Sequence, residues 1–244
     1  MNRKVKDSLL LYSTLIKFKS EIAHEMNASS AQSKNLRRGG RTRGRPAGKE
    51  ITGFDSLLRG ARQMFATHGY EGTSVRAIAQ LAGVDPALMA HHFGSKEGLW
   101  IAVVEQLSRR MELLIEATRQ LSINHMSPRE RIKQAIILFI DAVSEDRYFG
   151  MFFSTATTEQ GGRLDILMKR FMHPYRDAFI PLLIDAISTG ELRSNDPDAM
   201  YYMIVVSIST VISYSHILST FSSLPASPDK FKEVILDITF GMIR

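Results

Sequence analysis

The sequence predicts an all-α fold, with a small helical head, a larger helical body and a basic arm that precedes both. Apolar residues recur at offsets of three, four and seven through most of residues 52–243, which is the period of helices with one buried face. Ser-Pro or Asp-Pro pairs stand where several of these segments begin, and glycines stand where several end. The basic residues concentrate at the start, because residues 1–50 hold 12 Lys/Arg against 4 Asp/Glu, while the net charge of the whole chain is +6. We therefore expect a disordered basic arm joined to a helical protein.

Composition narrows the class of function. The 244 residues are 44% hydrophobic and 23% charged, as in ordinary soluble domains. The chain has no cysteine, which excludes disulfides, thiolate metal sites and cysteine nucleophiles and fits a reducing cytoplasm. It also lacks a glycine-rich phosphate loop, a nucleophile elbow and a metal-spaced cluster. The sequence therefore predicts neither an enzyme nor a bound cofactor.

Residues 4–22 mix leucines with lysines and allow two interpretations. One is a targeting or membrane-surface helix, and the other is a dispensable extension or a start codon assigned too far upstream of Met26. The second is favoured, because the apolar centre is short and no small-residue cleavage site follows.

Residues 34–49 hold seven Lys/Arg, four Gly and no acidic residue, so they cannot bury a core and are expected to be disordered when free. Within them, Arg43-Gly44-Arg45-Pro46 resembles the core of an AT-hook, whose arginines lie along a narrow A·T minor groove. A solvated linker whose arginines contact only phosphates fits equally well. Both interpretations make Arg43 and Arg45 candidates for contact with DNA.

The first predicted helix of the head spans Thr52 to His68 and ends at Gly69. It serves as a scaffold that holds the next two helices at a fixed angle. Its core face is formed by residues at helical spacing: Phe54, Leu57, Leu58, Ala61 and Phe65. Its solvated face is expected to hold three charged residues: Asp55, Arg59 and Arg62.

Residues 73–96 contain two short helices joined by a tight turn. The first covers residues 74–82, and Gly83 ends it because glycine adopts the left-handed conformation at no steric cost. Asp85 is the predicted cap of the second helix, with Pro86 at its first position. This is the helix-turn-helix pattern, whose second helix can enter the major groove of DNA.

From Ala61 to Leu99, the sequence is similar to the DNA-binding domain of the TetR family of bacterial transcriptional regulators. The residues that carry the similarity stand at near-consensus spacing with no insertion: Ala61, Phe65, Gly69, Tyr70, Thr73, Ile78, Ala79, Ala82, Gly83, Val84, His92, Phe93, Ser95, Lys96, Glu97 and Leu99. The resemblance implies a three-helix DNA-binding head at residues 51–98 and a ligand-binding and dimerisation body at residues 99–244, with about nine helices in all.

The resemblance also implies roles at the positions that match the family's DNA contacts. These positions are Thr73, Ser74, Arg76, Pro86, Ala87, His91, His92 and Lys96. Arg76 can donate two hydrogen bonds to a guanine edge, whereas His91, His92 and Lys96 can donate to phosphate oxygens. Ala90 stands where the family usually has tyrosine, so a phosphate contact is lost or passes to His91. The recognition helix has few polar base readers, so specificity is expected to depend on Arg76, the arm and DNA shape.

The pair His91 and His92 also suggests a metal site. Adjacent residues on a helix point about 100° apart and cannot readily hold one ion. No third ligand stands nearby in the sequence. Donation to phosphate or structural packing is therefore the favoured interpretation, and no metal is expected.

The body is predicted to begin with a helix capped by Ser95 that runs to about Leu121. A capping box at Ser127-Pro128-Arg129-Glu130 opens the next helix, which runs to about Val143. An aromatic helix then ends at Gly161-Gly162. The segment Arg163–Thr189 is expected to be one long helix, kinked at two prolines: Pro174 and Pro181.

The last two predicted helices, at about 197–221 and 228–243, begin at Asp196-Pro197 and Ser227-Pro228. The stretch between Asp198 and Asp229 has no formal charge, which suggests either a membrane span or a buried subunit interface. Its many Tyr, Ser and Thr residues favour the interface. As in the family, these two helices would pair with their copies in a homodimer, with no membrane partner.

An inducer pocket in the body is implied by the resemblance alone. Seven residues lie in segments where the family builds one: Phe139, Phe149, Phe152, Phe153, His173, Tyr175 and Arg176. A plain hydrophobic core explains the aromatic residues among them as well. The two polar members do not identify a ligand class.

The sequence is thus expected to encode a ligand-responsive transcriptional regulator, a repressor that binds a palindromic operator in double-stranded DNA as a homodimer. A small-molecule inducer of unknown class would release it. The alternative is an architectural protein that binds A·T-rich DNA mainly through the RGRP arm.

Overall fold

The computed structural model describes most of the chain beyond the basic arm, and none of the described residues lies in a β-strand. The described residues are 53–123, 125–156, 158–193 and 196–243. Arg43 and Arg45 lie outside the described residues, so the structure tests neither interpretation of the arm. The prediction of an all-α fold is confirmed.

Three helices form the head: α1 Gly53–His68, α2 Val75–Ala82 and α3 Pro86–Phe93. The predicted end of α1, the predicted start and end of α2, and the predicted start of α3 are confirmed, whereas Thr52, the predicted start of α1, lies outside the described residues. Ser74 Oγ accepts from Ala77 N at 3.1 Å, and an Asp85 carboxylate oxygen accepts from Ala87 N at 2.7 Å. Gly83 ends α2 with φ 68° and ψ 32°, in the left-handed region that favours glycine. Local capping therefore sets the lengths of both short helices.

The body contains helices of very different length. They are α4 Lys96–Leu121, α5 Pro128–Glu145, α6 Arg147–Ala156, α7 Gly162–Leu167, α8 His173–Ser188, α9 Pro197–Ser213, α10 Ser215–Leu218 and α11 Pro228–Met242. A π-helical segment, Met168–Met172, joins α7 to α8, and a 3₁₀ turn, Leu224–Ala226, precedes α11. The body is thus divided more finely than the resemblance implied.

Helix α4 is the buried axis of the body and begins directly after the head. Ser95 Oγ accepts from Gly98 N at 3.0 Å, as the predicted cap requires. The apolar side predicted for this helix is buried: Leu99, Trp100, Val103, Leu107, Met111 and Leu114. The predicted capping of α5 is also confirmed, because Ser127 Oγ accepts from Glu130 N at 3.2 Å.

The aromatic helix α6 ends earlier than predicted. It stops at Ala156, and Gly161, with φ 67°, instead precedes α7. The backbone N–H and the hydroxyl of Thr158 both donate to the Thr155 carbonyl, at 3.3 and 2.6 Å. These bonds satisfy a carbonyl that the end of the helix leaves open. The predicted end at Gly161-Gly162 was therefore wrong.

The predicted long helix over residues 163–189 is interrupted at one of its two prolines. The π-helical segment ends at Met172, two residues before Pro174, whose missing N–H cannot bond a carbonyl of the preceding turn. Pro181, in contrast, lies inside the continuous helix α8. The predicted irregularity at Pro174 is confirmed.

The predicted helix over residues 197–221 was too long, because α9 ends at Ser213 and the short α10 follows after Tyr214. Neither glycine nor proline marks this break, so no local signal announces it. Asp196 caps α9, with its carboxylate 3.0 Å from Ala199 N. Ser227 makes no such side-chain bond, although α11 begins after it as predicted.

Candidate DNA interface and body cavity

Helix α3 has one anchored face and one exposed face. Met89 is buried, and the ring of Phe93 stacks on Phe54 of α1 with ring centroids 4.9 Å apart. Phe54 itself is 38% exposed, so it covers α3 rather than joining the core face predicted for α1. The residues predicted to face DNA lie on the open side, where all are exposed: Pro86, Ala87, His91 and His92. Small residues at the start of this helix leave room for close approach to a groove.

The two histidines do not meet a third potential metal ligand. Their ring centroids are 5.1 Å apart, and His92 also lies edge-on to Phe54 at 5.6 Å. Among the described residues, no group of three or more His, Asp or Glu side chains is arranged to hold a metal ion. Both imidazoles are free to donate outward.

Three predicted DNA contacts lie at the start of α2, and they differ in exposure. Arg76 is exposed, and Ser74 is exposed although its hydroxyl caps the helix. Thr73 is only 2% exposed, and its hydroxyl donates to the Met64 carbonyl at 3.1 Å and the Gly69 carbonyl at 2.7 Å. The Thr73 side chain therefore fixes the turn between α1 and α2 and does not reach outward.

Lys96 is half-buried at the first position of α4. Its Nζ lies 4.2 Å from the centroid of the Tyr70 ring, and the guanidinium of Arg163 lies 3.9 Å from the same centroid. Burial raises the pKa of Tyr70, so the ring carries a neutral hydroxyl between two cations. These contacts hold Lys96 beside the head.

An ion-pair network joins the head to the body and corrects one expectation. Arg62 of α1 was expected on a solvated face, yet its guanidinium lies 2.8 Å from the Asp146 carboxylate. The same carboxylate accepts from Arg110 of α4 at 3.3 Å and from the N–H of Tyr148 at 3.0 Å. Arg110 also pairs with Glu145 at 3.4 Å. Asp146, directly before α6, thus connects that helix to both α1 and α4.

Two further contacts fasten the head to the same part of the body. The Thr155 hydroxyl, near the end of α6, donates to the Ala66 carbonyl of α1 at 2.9 Å. Arg163 of α7 bonds Glu71 of the head at 3.1 Å and Glu159 at 2.8 Å. Helix α1 packs more extensively on α6 than on α4. The head is therefore held at both ends of α6.

A cavity of about 110 Å³ lies in the body between α4, α5, α6, the π-helical segment, α8 and α9. Half of its lining residues are aromatic: Phe139, Phe149, Phe153, Phe171, Tyr175, Tyr201 and Tyr202. The remaining lining residues are Met111, Ser154, Met172, Val205, Val206, Ser209 and Thr210. Burial raises the pKa of Tyr175 well above its usual range and also raises the pKa of Tyr201. Both hydroxyls therefore stay neutral at physiological pH.

The structure brings only part of the predicted ligand set together. Four of the seven residues line the cavity: Phe139, Phe149, Phe153 and Tyr175. Phe152 is buried against Trp100 instead, with ring centroids 6.2 Å apart. His173 is exposed, and Arg176 lies at the surface, where it pairs with Asp177 and Asp198 at 2.9 Å. The two polar candidates therefore lie outside the cavity.

Sequence reasoning missed the α9 wall of the cavity. Tyr201, Val205 and Ser209 recur every four residues and face inward, but the uncharged stretch that holds them was interpreted as a subunit interface rather than as part of a ligand site. Their spacing was the available signal. Phe171 was missed because it lies in the π-helical segment, where helical spacing does not apply.

Helices α9 to α11 also expose large apolar side chains. The most exposed are Tyr202, Met203, Val206, Val211, Ile217, Phe221, Ile238 and Met242. Several large apolar side chains exposed on neighbouring elements are typical of a subunit interface. No helix among the described residues is both long and apolar enough to cross a membrane.

Sequence comparison assigns the head. Residues 57–103 match the family described as "Bacterial regulatory proteins, tetR family". The chain is 44% identical over 63 residues to the HTH-type transcriptional repressor AcnR of Corynebacterium glutamicum, which covers 26% of this chain and 34% of that protein. It is 29% identical over 157 residues to the HTH-type transcriptional regulator RutR of Escherichia coli K12. This match covers 61% of this chain and 68% of RutR. The match thus spans about a third of the length of the AcnR relatives.

Solved structures extend the likeness to the body. A bacterial regulatory protein in the tetR family from Rhodococcus RHA1 superposes with a TM-score of 0.63 at 15% identity, covering 79% of this chain and 97% of that one. The fatty acid degradation regulator FadR of Bacillus halodurans superposes with a TM-score of 0.54 at 18% identity, covering 78% and 97%. At these identities the likeness shows a shared fold.

Proposed function

Since its helix-turn-helix head belongs to the TetR family of bacterial regulatory proteins, we propose that this chain is a homodimeric transcriptional repressor that binds a palindromic operator. The observation that carries the proposal is the exposed face of α3, which is held by buried Met89 and flanked by exposed Arg76 and half-buried Lys96. Two such faces related by a two-fold axis would lie about 34–36 Å apart, one turn of the double helix. The function is regulatory rather than catalytic, and we place it in the cytoplasm.

The exposed residues divide into two roles in this proposal. Arg76 reads a guanine edge, and Pro86 and Ala87 allow α3 to approach the bases closely. His91, His92 and Lys96 neutralise or bond phosphates, which fixes the register of the head on the duplex. Ser74 brings the start of α2 to a phosphate, while Thr73 acts from inside by fixing the turn. Arg43 and Arg45 of the arm add further contact with DNA.

The second copy would cover the apolar surface of α9 and α11. Exposed Met203 and Ile238 come from different helices, so their burial against the same residues of a partner would form a four-helix interface. Such isologous pairing supplies the two-fold axis that a palindrome requires. The body, residues 99–244, would thus set the separation of the two heads.

Helix α6 is the proposed route from a ligand to the head. One side contributes Phe149 and Phe153 to the cavity, while Asp146 and Thr155 at its two ends hold Arg62 and Ala66 of α1. A ligand that binds one arrangement of α6 more tightly than another would shift the population of head positions. Helix α4, which begins directly after the head and also lines the cavity through Met111, would share this role.

The dimer is tested with two matched substitutions. Ile238 is 61% exposed on α11, and Ile184 is 52% exposed on α8, outside the proposed interface. We expect Ile238→Glu to give monomers in sedimentation and to weaken binding to a palindromic operator at least tenfold, because one head then binds alone. Ile184→Glu is expected to remain a dimer with unchanged affinity. A dimeric Ile238→Glu protein with full affinity would contradict the proposed interface.

A further inference from the structure

The body cavity lacks any ionised lining group among the described residues. Two charged residues that lie near it are already paired. Arg110 lies 5.5 Å from the Phe149 ring centroid, and its guanidinium bonds the carboxylates of Asp146 and Glu145. Arg176, near Tyr201, is paired with two carboxylates at the surface. An anionic ligand would therefore lose its hydration without gaining a counter-ion, which is costly in an apolar site.

The cavity walls present rings to any occupant. Phe153 lies edge-to-face with Phe149 at 4.9 Å and with Phe171 at 4.6 Å. Phe139 stacks on Tyr175 at 5.4 Å. A further ring can extend such offset and edge-to-face contacts, and the walls lose little conformational entropy because each ring has only two side-chain torsions.

The size of the cavity sets the size of its occupant. An apolar cavity of roughly 150 Å³ in another protein holds one benzene molecule. The present cavity, at about 110 Å³, is close to that size and needs only small shifts to hold a single ring. A long acyl chain would extend out of the cavity past exposed Tyr202 and Val206 and leave part of its apolar surface in water. Ser209 and Thr210 place hydroxyl groups on the α9 wall, where a ligand hydroxyl can be satisfied.

We propose that this cavity binds an uncharged, single-ring aromatic compound bearing a hydroxyl group. The proposal deepens the proposed function, on which it rests for its biological meaning, by naming the chemical class of the inducer. Binding itself requires only the folded body.

The direct test is fluorine NMR of the full-length protein with two probes that differ in charge. We expect 4-fluorobenzyl alcohol to show saturable binding and 4-fluorobenzoate to bind at least tenfold more weakly. Decanoate is expected not to displace the alcohol. Equal or tighter binding of the benzoate, displacement by decanoate, or no binding of the alcohol would each overturn the proposal.

Two serines on α9 locate the binding site. Ser209 lines the cavity, whereas Ser207 is half-buried outside it and its hydroxyl donates to the Met203 carbonyl. Ser209→Leu should fill the cavity and weaken binding of the alcohol at least tenfold. Ser207→Leu should bind the alcohol with the affinity of the unsubstituted protein. If Ser209→Leu does not fold, Phe153→Leu removes a ring from the wall and should weaken binding several-fold. Unchanged affinity in the folded cavity variant would contradict the assignment.

The readout needs no DNA, so the two proposals fail separately. A protein that binds the alcohol in the cavity but binds no operator DNA, with or without the alcohol, would refute the regulatory function alone. Operator binding without alcohol binding would refute the ligand class alone.

Discussion

The head offers its candidate functional residues to solvent, whereas the body places most of its candidates in a cavity that is open on the α9 side, where Tyr202 and Val206 are exposed. His91 and His92 are exposed on a short helix whose ends are fixed by Asp85 and Gly94. The cavity instead gathers side chains from six helical segments that are distant in sequence. A polyanion can be met only at the surface, and an apolar ligand gains most in the interior. In the proposed function, DNA binding at α3 is thus separated from ligand binding in the cavity, and α6 contacts both the head and the cavity.

The largest expected effect is a loss of DNA affinity in the head, with the body unchanged. Arg76→Ala should weaken binding to the selected operator by about 5- to 150-fold, the equivalent of about 1–3 kcal/mol for a bidentate base contact. Arg109→Ala is the charge-matched control, because this exposed arginine lies about 20 Å along α4 from Lys96 at 1.5 Å per residue. Fluorescence anisotropy measures both. Equal losses in the two variants would mean that Arg76 acts only through net charge.

The next effect is a loss of stability in the body, at a position that does not contact the head. A Cβ at Gly150 of α6 would meet the Ser213 hydroxyl and crowd Val143. Gly150→Ala should therefore lower the free energy of unfolding by about 1–3 kcal/mol, although alanine normally favours a helix. Gly162→Ala is the control, because nothing lies within 4 Å of its Cβ position. Chemical denaturation checks this, and a stabilised Gly150→Ala protein would show that α6 and α9 are less closely packed than described.

These two predictions also mark what the sequence could and could not reveal. Ser74, Gly83 and Asp85 act through bonds to residues within five positions, so the boundaries of α2 and α3 could be read directly. The contacts of Arg62 and Thr155 join residues more than eighty positions apart, so no local pattern indicated them.

The cavity shows the same limit. Aromatic identity alone could not separate Phe153, which lines it, from adjacent Phe152, which packs on Trp100. Adjacent helical residues point about 100° apart, and only the packing of α4 and α9 decides which of them meets the cavity. Arg176 was a candidate because it lies in a segment where the family builds a pocket, and its pairing with Asp198 on another helix could not be read from the sequence.

A moderate effect sharpens the division within the head itself. Lys96→Ala should reduce the salt dependence of operator binding by about one phosphate contact. Thr73→Val should leave that slope unchanged and lower the free energy of unfolding by about 1 kcal/mol, because it removes a buried hydroxyl that donates to two carbonyls. Titration at several salt concentrations separates the roles. A shallower slope for Thr73→Val would make Thr73 a phosphate contact after all.

A similar effect is expected at the junction of the two regions. Arg62→Ala removes a contact to Asp146 but leaves that carboxylate paired with Arg110. We expect local opening of α1 to become easier by about 1 kcal/mol, or roughly fivefold in amide hydrogen exchange. Exchange in α11 serves as the internal control and should not change. Uniformly faster exchange would indicate global destabilisation rather than a released junction.

The smallest effect concerns a surface pair that takes no part in either function. Hydrogen bonds from Arg176 hold the pKa of Asp198 below its usual value of 3.8. This pair stabilises the folded state only above that value, and the contribution is lost as the pH falls through the lowered pKa. Arg176→Ala should therefore be slightly less stable at neutral pH, with the difference vanishing in acid. Chemical denaturation at neutral pH and in acid tests this difference in stability. The affinity of the cavity for the aromatic alcohol should not change.

The central claim is that the helix-turn-helix head reads the DNA sequence. It is tested most directly by selecting bound duplexes from a random pool with the full-length protein and with a chain shortened to begin at Glu50. We predict that both recover one palindrome with half-sites about one helical turn apart, and that the shortened chain binds it more weakly with a shallower salt dependence. If only the full-length protein binds, and it recovers A·T tracts without a palindrome, the arm is the binding element and the roles given to Arg76, His91 and His92 are wrong.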